Sequence, residues 1–267
     1  MIKIYDIVIE QNHFPDNTLL AKVNPYDEAF QANDDINITW HYESDAELFT
    51  LICIKRHLES YFIKSTRFNL ILPYVPHARM DRVKNPDELF TLKYFCEVIN
   101  SLHFDNVVVS DVHSNVALAL LDNIMQVNVA GLIESVKEVC GAQTICYPDE
   151  GAMKRYSSII KHPYTFGIKK RDWETGKIER LDLVNGDSVL DRDVLIVDDI
   201  CSYGGTFLHT AKALKEAGAN NIYLYITHCE KSIFDGEMIN SGLITKIYTT
   251  DSIFPADKQN DMIQIIN

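Results

Sequence analysis

The segment Val194-Leu-Ile-Val-Asp-Asp-Ile-Cys-Ser-Tyr-Gly-Gly-Thr206 carries the strongest chemical signal in this chain. An apolar run of strand type ends in two acids, Asp198 and Asp199, then turns through Gly204 and Gly205 into an amphipathic stretch. Paired glycines let backbone approach a ligand closely, and the first turn of a helix presents unpaired N–H groups at the positive end of its dipole. Ser202, Tyr203 and Thr206 add hydroxyl donors. Two carboxylates at a strand end accept from vicinal hydroxyls or hold Mg²⁺ through water. A phosphate and a diol together make a ribose phosphate. The plainer reading is a strand–helix turn whose acids cap the helix.

Five other stretches hold reactive groups. Leu72-Pro-Tyr-Val-Pro-His-Ala-Arg-Met-Asp-Arg82 carries Arg79, Asp81 and Arg82. Guanidinium forks bind oxyanions and stack on rings, although Arg82 can instead pair with Asp81. His113 follows a Val-rich strand in Ser110-Asp-Val-His113, and Asp149 follows another in Tyr147-Pro-Asp-Glu-Gly151, where it can equally cap a helix. Lys170 and Arg171 end the basic run Ile168-Lys-Lys-Arg171. Phe14 and Asp16 lie in His13-Phe-Pro-Asp16, where Phe14 is either a ligand contact or a core anchor.

Repeated strand–helix units must position these groups. Apolar runs at 68–75, 106–112, 143–148, 194–199, 221–228 and 246–253 show little alternation, as expected of strands covered on both faces. Ser44-x-x-Glu47 reads as a capping box before one helix. Pro86, Asp87 and Glu88 predict the start of a second. A third follows Gly204-Gly205 and stops at Gly218. Residues 20–38 read as a hairpin or loop. The pattern predicts an α/β protein with mostly parallel sheets flanked by helices, in two domains at 1–140 and 141–267.

The 267 residues include 25 Lys and Arg against 38 Asp and Glu, a formal charge of −13. That excludes a polyanion or anionic-membrane track but leaves room for a phosphate held by backbone N–H groups. The first residues show no secretory signal, and no window is apolar enough to span a membrane. Six unpatterned cysteines argue for a reduced, cytoplasmic setting and against zinc.

Taken together, these motifs resemble the ribose-phosphate diphosphokinase (PRPP synthetase) family, with a phage-type variant in view, and the segment 194–206 resembles the PRPP motif it shares with type I phosphoribosyltransferases. The resemblance covers about residues 12–265, with the family's first strand–helix unit largely absent and its closing helix missing. It implies two phosphoribosyltransferase-like domains, an ATP side in 1–140 and a ribose-phosphate side in 141–267. It implies transfer of the β,γ-diphosphoryl group of ATP to the anomeric hydroxyl of ribose 5-phosphate, with Mg²⁺ and release of AMP. By residue, it implies ATP binding by Phe14, Asp16, Arg79, Asp81, Arg82 and His113. It places a metal at His113 and Asp149, and ribose phosphate at Asp198, Asp199, Ser202, Tyr203, Gly204, Gly205 and Thr206. Lys170 and Arg171 take the catalytic loop's role. It implies no nucleic-acid or membrane partner, and a homo-oligomer built from dimers.

The chain departs from the family at four places. Asn17 and Thr18 replace Gly and Glu, Ala152 replaces a second glycine, Asp172 stands where a loop Arg is expected, and Ser202-Tyr203 replaces Asp-Thr. Tyr203 either packs against the protein or stacks on a base, the latter suiting a nucleotide-sized acceptor such as ADP-ribose in NAD salvage. Two rivals stay open: a plain phosphoribosyltransferase that consumes PRPP, and a non-catalytic regulatory relative.

Overall fold

The computed structural model describes residues 1–31, 35–171 and 178–266, with backbone alone at residue 31, 169–171 and 178–180. The chain forms two compact units, Met1–Val127 and Asn128–Asn267.

The first unit contains strands β1 (Ile2–Ile4), β2 (Ile7–Val8), β3 (Gln11–His13) and β4 (Leu19–Ala21), then the helical turn α1 (Glu28–Gln31). There follow β5 (Asp35–Trp40), α2 (Ala46–Glu59), β6 (Arg67–Leu72), α3 (Thr91–Asn100), β7 (Asn106–Ser110), α4 (Asn115–Leu120) and β8 (Ile124–Val127). Six strands form one sheet in the order β2-β1-β5-β6-β7-β8, parallel from β5 onward, while β3 and β4 form a separate hairpin. Successive right-handed crossovers in one direction place their helices on one face. Ile36, Ile38, Leu70 and Val109 accordingly pack with Leu51, Phe95 and Ile99 in a single core. On the opposite face three asparagines stand in register across β5, β6 and β7. Asn106 Nδ2 donates to Asn69 Oδ1 at 2.8 Å, and Asn69 Nδ2 donates to Asn37 Oδ1 at 2.9 Å.

Three local expectations change here. Strand β5 begins inside the span read as loop, because its outward Asp35, Asn37 and Thr39 mask the inward Ile36, Ile38 and Trp40. The helix expected at Pro86 starts at Thr91, because the Glu88 carboxylate folds back onto the N–H groups of Lys84 (2.8 Å) and Asn85 (3.3 Å). Glu47 closes no capping box with Ser44. It is buried, and its carboxylate accepts from Trp40 Nε1 and the Glu43 N–H, each at 2.9 Å.

The second unit contains α5 (Ala130–Cys140), β9 (Thr144–Tyr147), α6 (Glu150–Tyr156), β10 (Tyr164–Arg171), β11 (Ile178–Val184) and β12 (Val194–Cys201). It continues with α7 (Gly205–Glu216), β13 (Ile222–Cys229), β14 (Lys246–Thr249) and β15 (Ile263–Ile265). The sheet order is β11-β10-β9-β12-β13-β14-β15, with only the β10–β11 pair antiparallel among the described residues. The unit starts before α5, not after residue 140, because Ile133 and Val136 of α5 pack with Ile145, Tyr156 and Leu195. From β9 the chain crosses through α6 to β10. From β12 it crosses through α7 to β13, in the opposite direction along the sheet. The two helices therefore cover opposite faces: α6 with Ile145, Leu195 and Val197, and α7 with Cys146, Val194 and Ile196. Among the described residues, no helix is long and apolar enough to cross a membrane.

One buried charge in α2 gives the fold a test. Lys55 is 1% exposed, with Nζ 2.5 Å from Glu59 Oε1 and 4.4 Å from the Phe68 ring centroid. Removing Glu59 strands the buried Lys55 charge, whereas removing Lys55 leaves a Glu59 that is a third exposed and still paired with Arg56 at 3.1 Å. Glu59→Gln is expected to cost about 1–3 kcal/mol, and Lys55→Met less than about 1 kcal/mol or nothing, in urea denaturation. Equal losses in both variants would contradict this account.

Candidate functional site

In open α/β sheets ligands bind outside the carboxyl ends of the strands, at the point where the crossover direction reverses. In the second unit that point lies between β9 and β12, which pair in parallel. Asp149 follows β9 and caps α6, its Oδ1 accepting the Ala152 N–H at 3.0 Å. Asp198 and Asp199 stand near the end of β12. Asp198 Oδ1 accepts the Asp199 N–H at 3.0 Å, and Asp199 Oδ2 lies 2.6 Å from Arg155 Nη1. Burial, reinforced by the Asp199 and Asp149 carboxylates, pushes the Asp198 carboxyl well above its ordinary range. Three acids thus converge on one crevice.

The glycine turn completes it. Gly204 caps α7 in the left-handed region, at φ +78°, a conformation glycine adopts without strain. The first intrahelical bond runs from the Leu208 N–H to the Gly204 carbonyl at 2.9 Å, so the N–H groups of Gly205, Thr206 and Phe207 precede the helical ladder. That is an anion cradle at the start of a 12-residue helix. A later segment supports the turn from behind. A Cβ on Gly204 would meet the Met238 sulfur at 2.9 Å, and one on Gly236 would fall 1.9 Å from the Tyr203 carbonyl oxygen. Tyr203 itself is 61% exposed, so its ring projects to solvent from a braced backbone and is not packed into the protein.

The first unit gathers its own cluster at the ends of β6 and β7. The Asp81 carboxylate accepts from Arg82 Nε at 2.7 Å and from Ser114 Oγ at 2.7 Å. These contacts, Arg82 foremost, with His113 nearby, hold Asp81 below its ordinary carboxylate value. The Arg82–Asp81 pairing foreseen as the plainer reading is therefore present, and Arg79 is exposed. Phe14 is 50% exposed at the tip of the β3–β4 hairpin, which excludes the core-anchor reading. Asp16 beside it accepts from Thr18 Oγ1 at 2.7 Å. The side chains of Lys170 and Arg171 lie outside the described residues, as do Asp172 and Lys177. The backbone sets Lys170 opposite Arg180 across β10 and β11.

The sequence singled out neither Ser114, Gly236 nor Met238, and it offered no local motif at any of them.

No family model matches this chain. Curated relatives do. The ribose-phosphate pyrophosphokinase of Campylobacter jejuni is 32% identical over 206 residues, covering 74% of this chain and 64% of that protein. That of Hyphomonas neptunium is 30% identical over 199 residues, covering 72% and 63%. The crystal structure of phosphoribosylpyrophosphate synthetase from Mycobacterium smegmatis matches with a TM-score of 0.75 at 17% identity, covering 97% of this chain and 85% of that one. The chain resembles the ribose-phosphate pyrophosphokinases. It spans slightly under two thirds of the length of the two curated relatives. Its fold is that of a phosphoribosylpyrophosphate synthetase.

Members of such a family are expected to work with Mg²⁺. Among the described residues, no group of three or more His, Cys, Asp or Glu is arranged to hold an ion. The hard carboxylate oxygens of Asp149 and Asp198 fit Mg²⁺, which takes one or two carboxylates and completes its shell with water and substrate phosphate.

The brace on the glycine turn is testable. Gly236→Ala forces a methyl into the Tyr203 carbonyl, an overpacking expected to cost about 1–3 kcal/mol. A Cβ on Gly205 meets nothing within 4 Å. Gly205→Ala is therefore expected to melt within about 1 °C of the parent chain, since nothing must move to accept it. Differential scanning calorimetry of both variants separates the two outcomes.

Proposed function

We propose that this chain is a Mg-ATP-dependent diphosphotransferase, moving the β,γ-diphosphoryl group of ATP to the anomeric 1-hydroxyl of a ribose 5-phosphate moiety and releasing AMP. The observation that carries this reading is the meeting of Asp149, the Asp198–Asp199 pair and the glycine turn at one crossover reversal. The N–H groups of Gly205 and Thr206, with the hydroxyls of Ser202 and Thr206, hold the acceptor's 5-phosphate. Asp198 and Asp199 orient the ribose through its vicinal hydroxyls. On the nucleotide side, Arg79 and Arg82 meet phosphate, while Phe14 and Asp16 meet the base. The anomeric oxygen attacks the β-phosphorus and gives up its hydroxyl proton to solvent, the bond from that phosphorus to the α,β-bridging oxygen breaks, and AMP leaves with that oxygen. Lys170 and Arg171 stabilise the charge that builds on the transferring group. Alignment and charge neutralisation supply the rate, with little covalent chemistry from the protein. Asp149 would help to hold Mg²⁺, which would supply further charge neutralisation on the ATP phosphates.

One observation favours a nucleotide-sized acceptor. The Tyr203 ring stands in solvent beside the cradle, where it can stack on a base attached beyond the 5-phosphate. ADP-ribose fits that description, its product being the anomeric diphosphate for use in NAD synthesis. A cytoplasmic homo-oligomer built from dimers completes the proposal.

The deciding experiment mixes the chain with Mg-ATP and either ribose 5-phosphate or ADP-ribose and follows AMP. AMP release with at least one acceptor is expected, and none with either refutes the diphosphotransferase reading. Lys170→Ala is expected to lower kcat about 100- to 1,000-fold. Tyr203→Thr is expected to raise KM for ADP-ribose about tenfold and leave ribose 5-phosphate unchanged, as loss of a base–aromatic stack would.

A further inference from the structure

Cys201 ends β12 and Cys229 ends β13, and the parallel register sets the two directly opposite each other. Neighbouring strands run about 4.8 Å apart, inside the Cα separation that a disulfide spans. Both thiols are free and buried, at 1% and 0% exposure, in one apolar core. The Cys229 thiol lies within hydrogen-bonding contact of Cys201 and, with burial, pushes the Cys201 thiol well above its ordinary range. Cys146 is buried in the same core but stands opposite Ile196 on one side and Thr165 on the other.

The place of the pair gives it leverage. Cys201 is the last residue before the Ser202-Tyr203-Gly204 turn. Cys229 precedes Glu230, whose N–H donates to the Cys201 carbonyl at 2.8 Å and closes the last rung between the strands. The chain then runs through the helical turn Lys231–Asp235 to Gly236 and Met238, which back the glycine turn. Met238 and Phe207 share the thiols' core. The two sulfurs thus lie between the strand end that begins the anion cradle and the strand end that begins its brace.

We infer that Cys201 and Cys229 form a modification site, a dithiol that a small hydroperoxide converts to a disulfide and that thereby sets the position of the glycine turn. One sulfur loses its proton and attacks a peroxide oxygen; the O–O bond breaks, leaving a sulfenic acid and water. The second sulfur attacks the first, the S–O bond breaks and a second water leaves. Two thiols and one hydrogen peroxide give one disulfide and two waters, each sulfur being oxidised by one electron. Closing the bond draws the sulfurs from contact distance to about 2.05 Å. The strand ends must follow, and the N–H groups of Gly205, Thr206 and Phe207 with them. The effect on acceptor binding rests on the ribose-phosphate reading above, whereas the bond itself does not. Burial makes the pair slow to react, because the thiolate is the reacting form, and the exposed Cys53 is the faster target.

The test treats the folded full chain with hydrogen peroxide and maps its cysteines by non-reducing peptide mass spectrometry, with amide hydrogen exchange and acceptor titration calorimetry before and after. A linked Cys201–Cys229 peptide pair lighter by two hydrogens is expected, forming about tenfold or more slower than Cys53 oxidises and reversed by a phosphine reductant. In the oxidised chain, exchange of the Glu230 amide slows about tenfold or more, because the bond removes the fraying that frees it. Ribose 5-phosphate and ADP-ribose bind about tenfold or more weaker, the scale of a small misplacement of the cradle. Cys229→Ala abolishes each of these responses to peroxide, and Cys53→Ser keeps them. The reduced and oxidised parent chains give the same comparison without any variant.

Peroxide that oxidises Cys53 and leaves Cys201 and Cys229 as free thiols, or that links either to another cysteine, overturns the proposal. So does a Cys201–Cys229 bond that forms only in urea, or one that leaves Glu230 exchange unchanged, or one that leaves acceptor affinity unchanged in a chain that binds acceptor. A reduced parent that binds neither acceptor refutes the ribose-phosphate reading, and the bond with its Glu230 exchange then decides this inference alone.

Discussion

The handedness of two crossovers governs the second unit. A right-twisted strand returns through its helix on one side only, so reversing the direction of travel between β9 and β12 sends α6 and α7 to opposite faces. The reversal leaves a gap between their starting turns, and the carboxyl ends of both strands open onto it. Everything chemical in this unit depends on that gap. Asp149 opens α6, the glycine turn opens α7, and the paired acids stand on the strand between. The first unit has no such reversal among β5 to β8. Its cluster of Asp81, Arg82 and Ser114 arises instead from loops that follow adjacent strands running the same way.

Charge in the crevice is organised by backbone as much as by side chains. The chain carries a formal charge of −13, and three of its acids converge where an anion is proposed to sit. The turn answers with N–H groups at a helix start, whose positive character costs no basic residue and does not titrate. Arg155 compensates Asp199 from α6. Acids and a phosphate cradle can then lie side by side, because backbone N–H groups supply the positive end and Arg155 balances one of the acids.

Legibility in the sequence followed the range of the interactions. The 194–206 segment could be read because its logic is local: a buried strand, two acids, a glycine in the left-handed region and a helix start within thirteen residues. The parallel α/β pattern was legible for the same reason, since the apolar runs of β6, β7, β12 and β13 are continuous. What escaped depends on distant partners. Gly236 matters because its backbone lies against Tyr203, 33 positions earlier, and Arg155 matters because Asp199 lies 44 positions later. Tyr203 and Phe14 each had two readings in the sequence, and solvent exposure chose between them. Strand β5 was hidden by its own polar face, and Glu88 delays the helix that Pro86 and Asp87 predict.

That polar face has a use of its own. Parallel strands pair through backbone bonds that look alike from one residue to the next, so the backbone alone tolerates a slip. The Asn37–Asn69–Asn106 ladder does not. Sliding β6 by one residue would break both amide bonds and swing Phe68, Leu70 and Leu72 out of the core. Three inexpensive amides thus act as an alignment key for the sheet, so that the loops after β6 and β7 emerge level with one another and Asp81 meets Ser114.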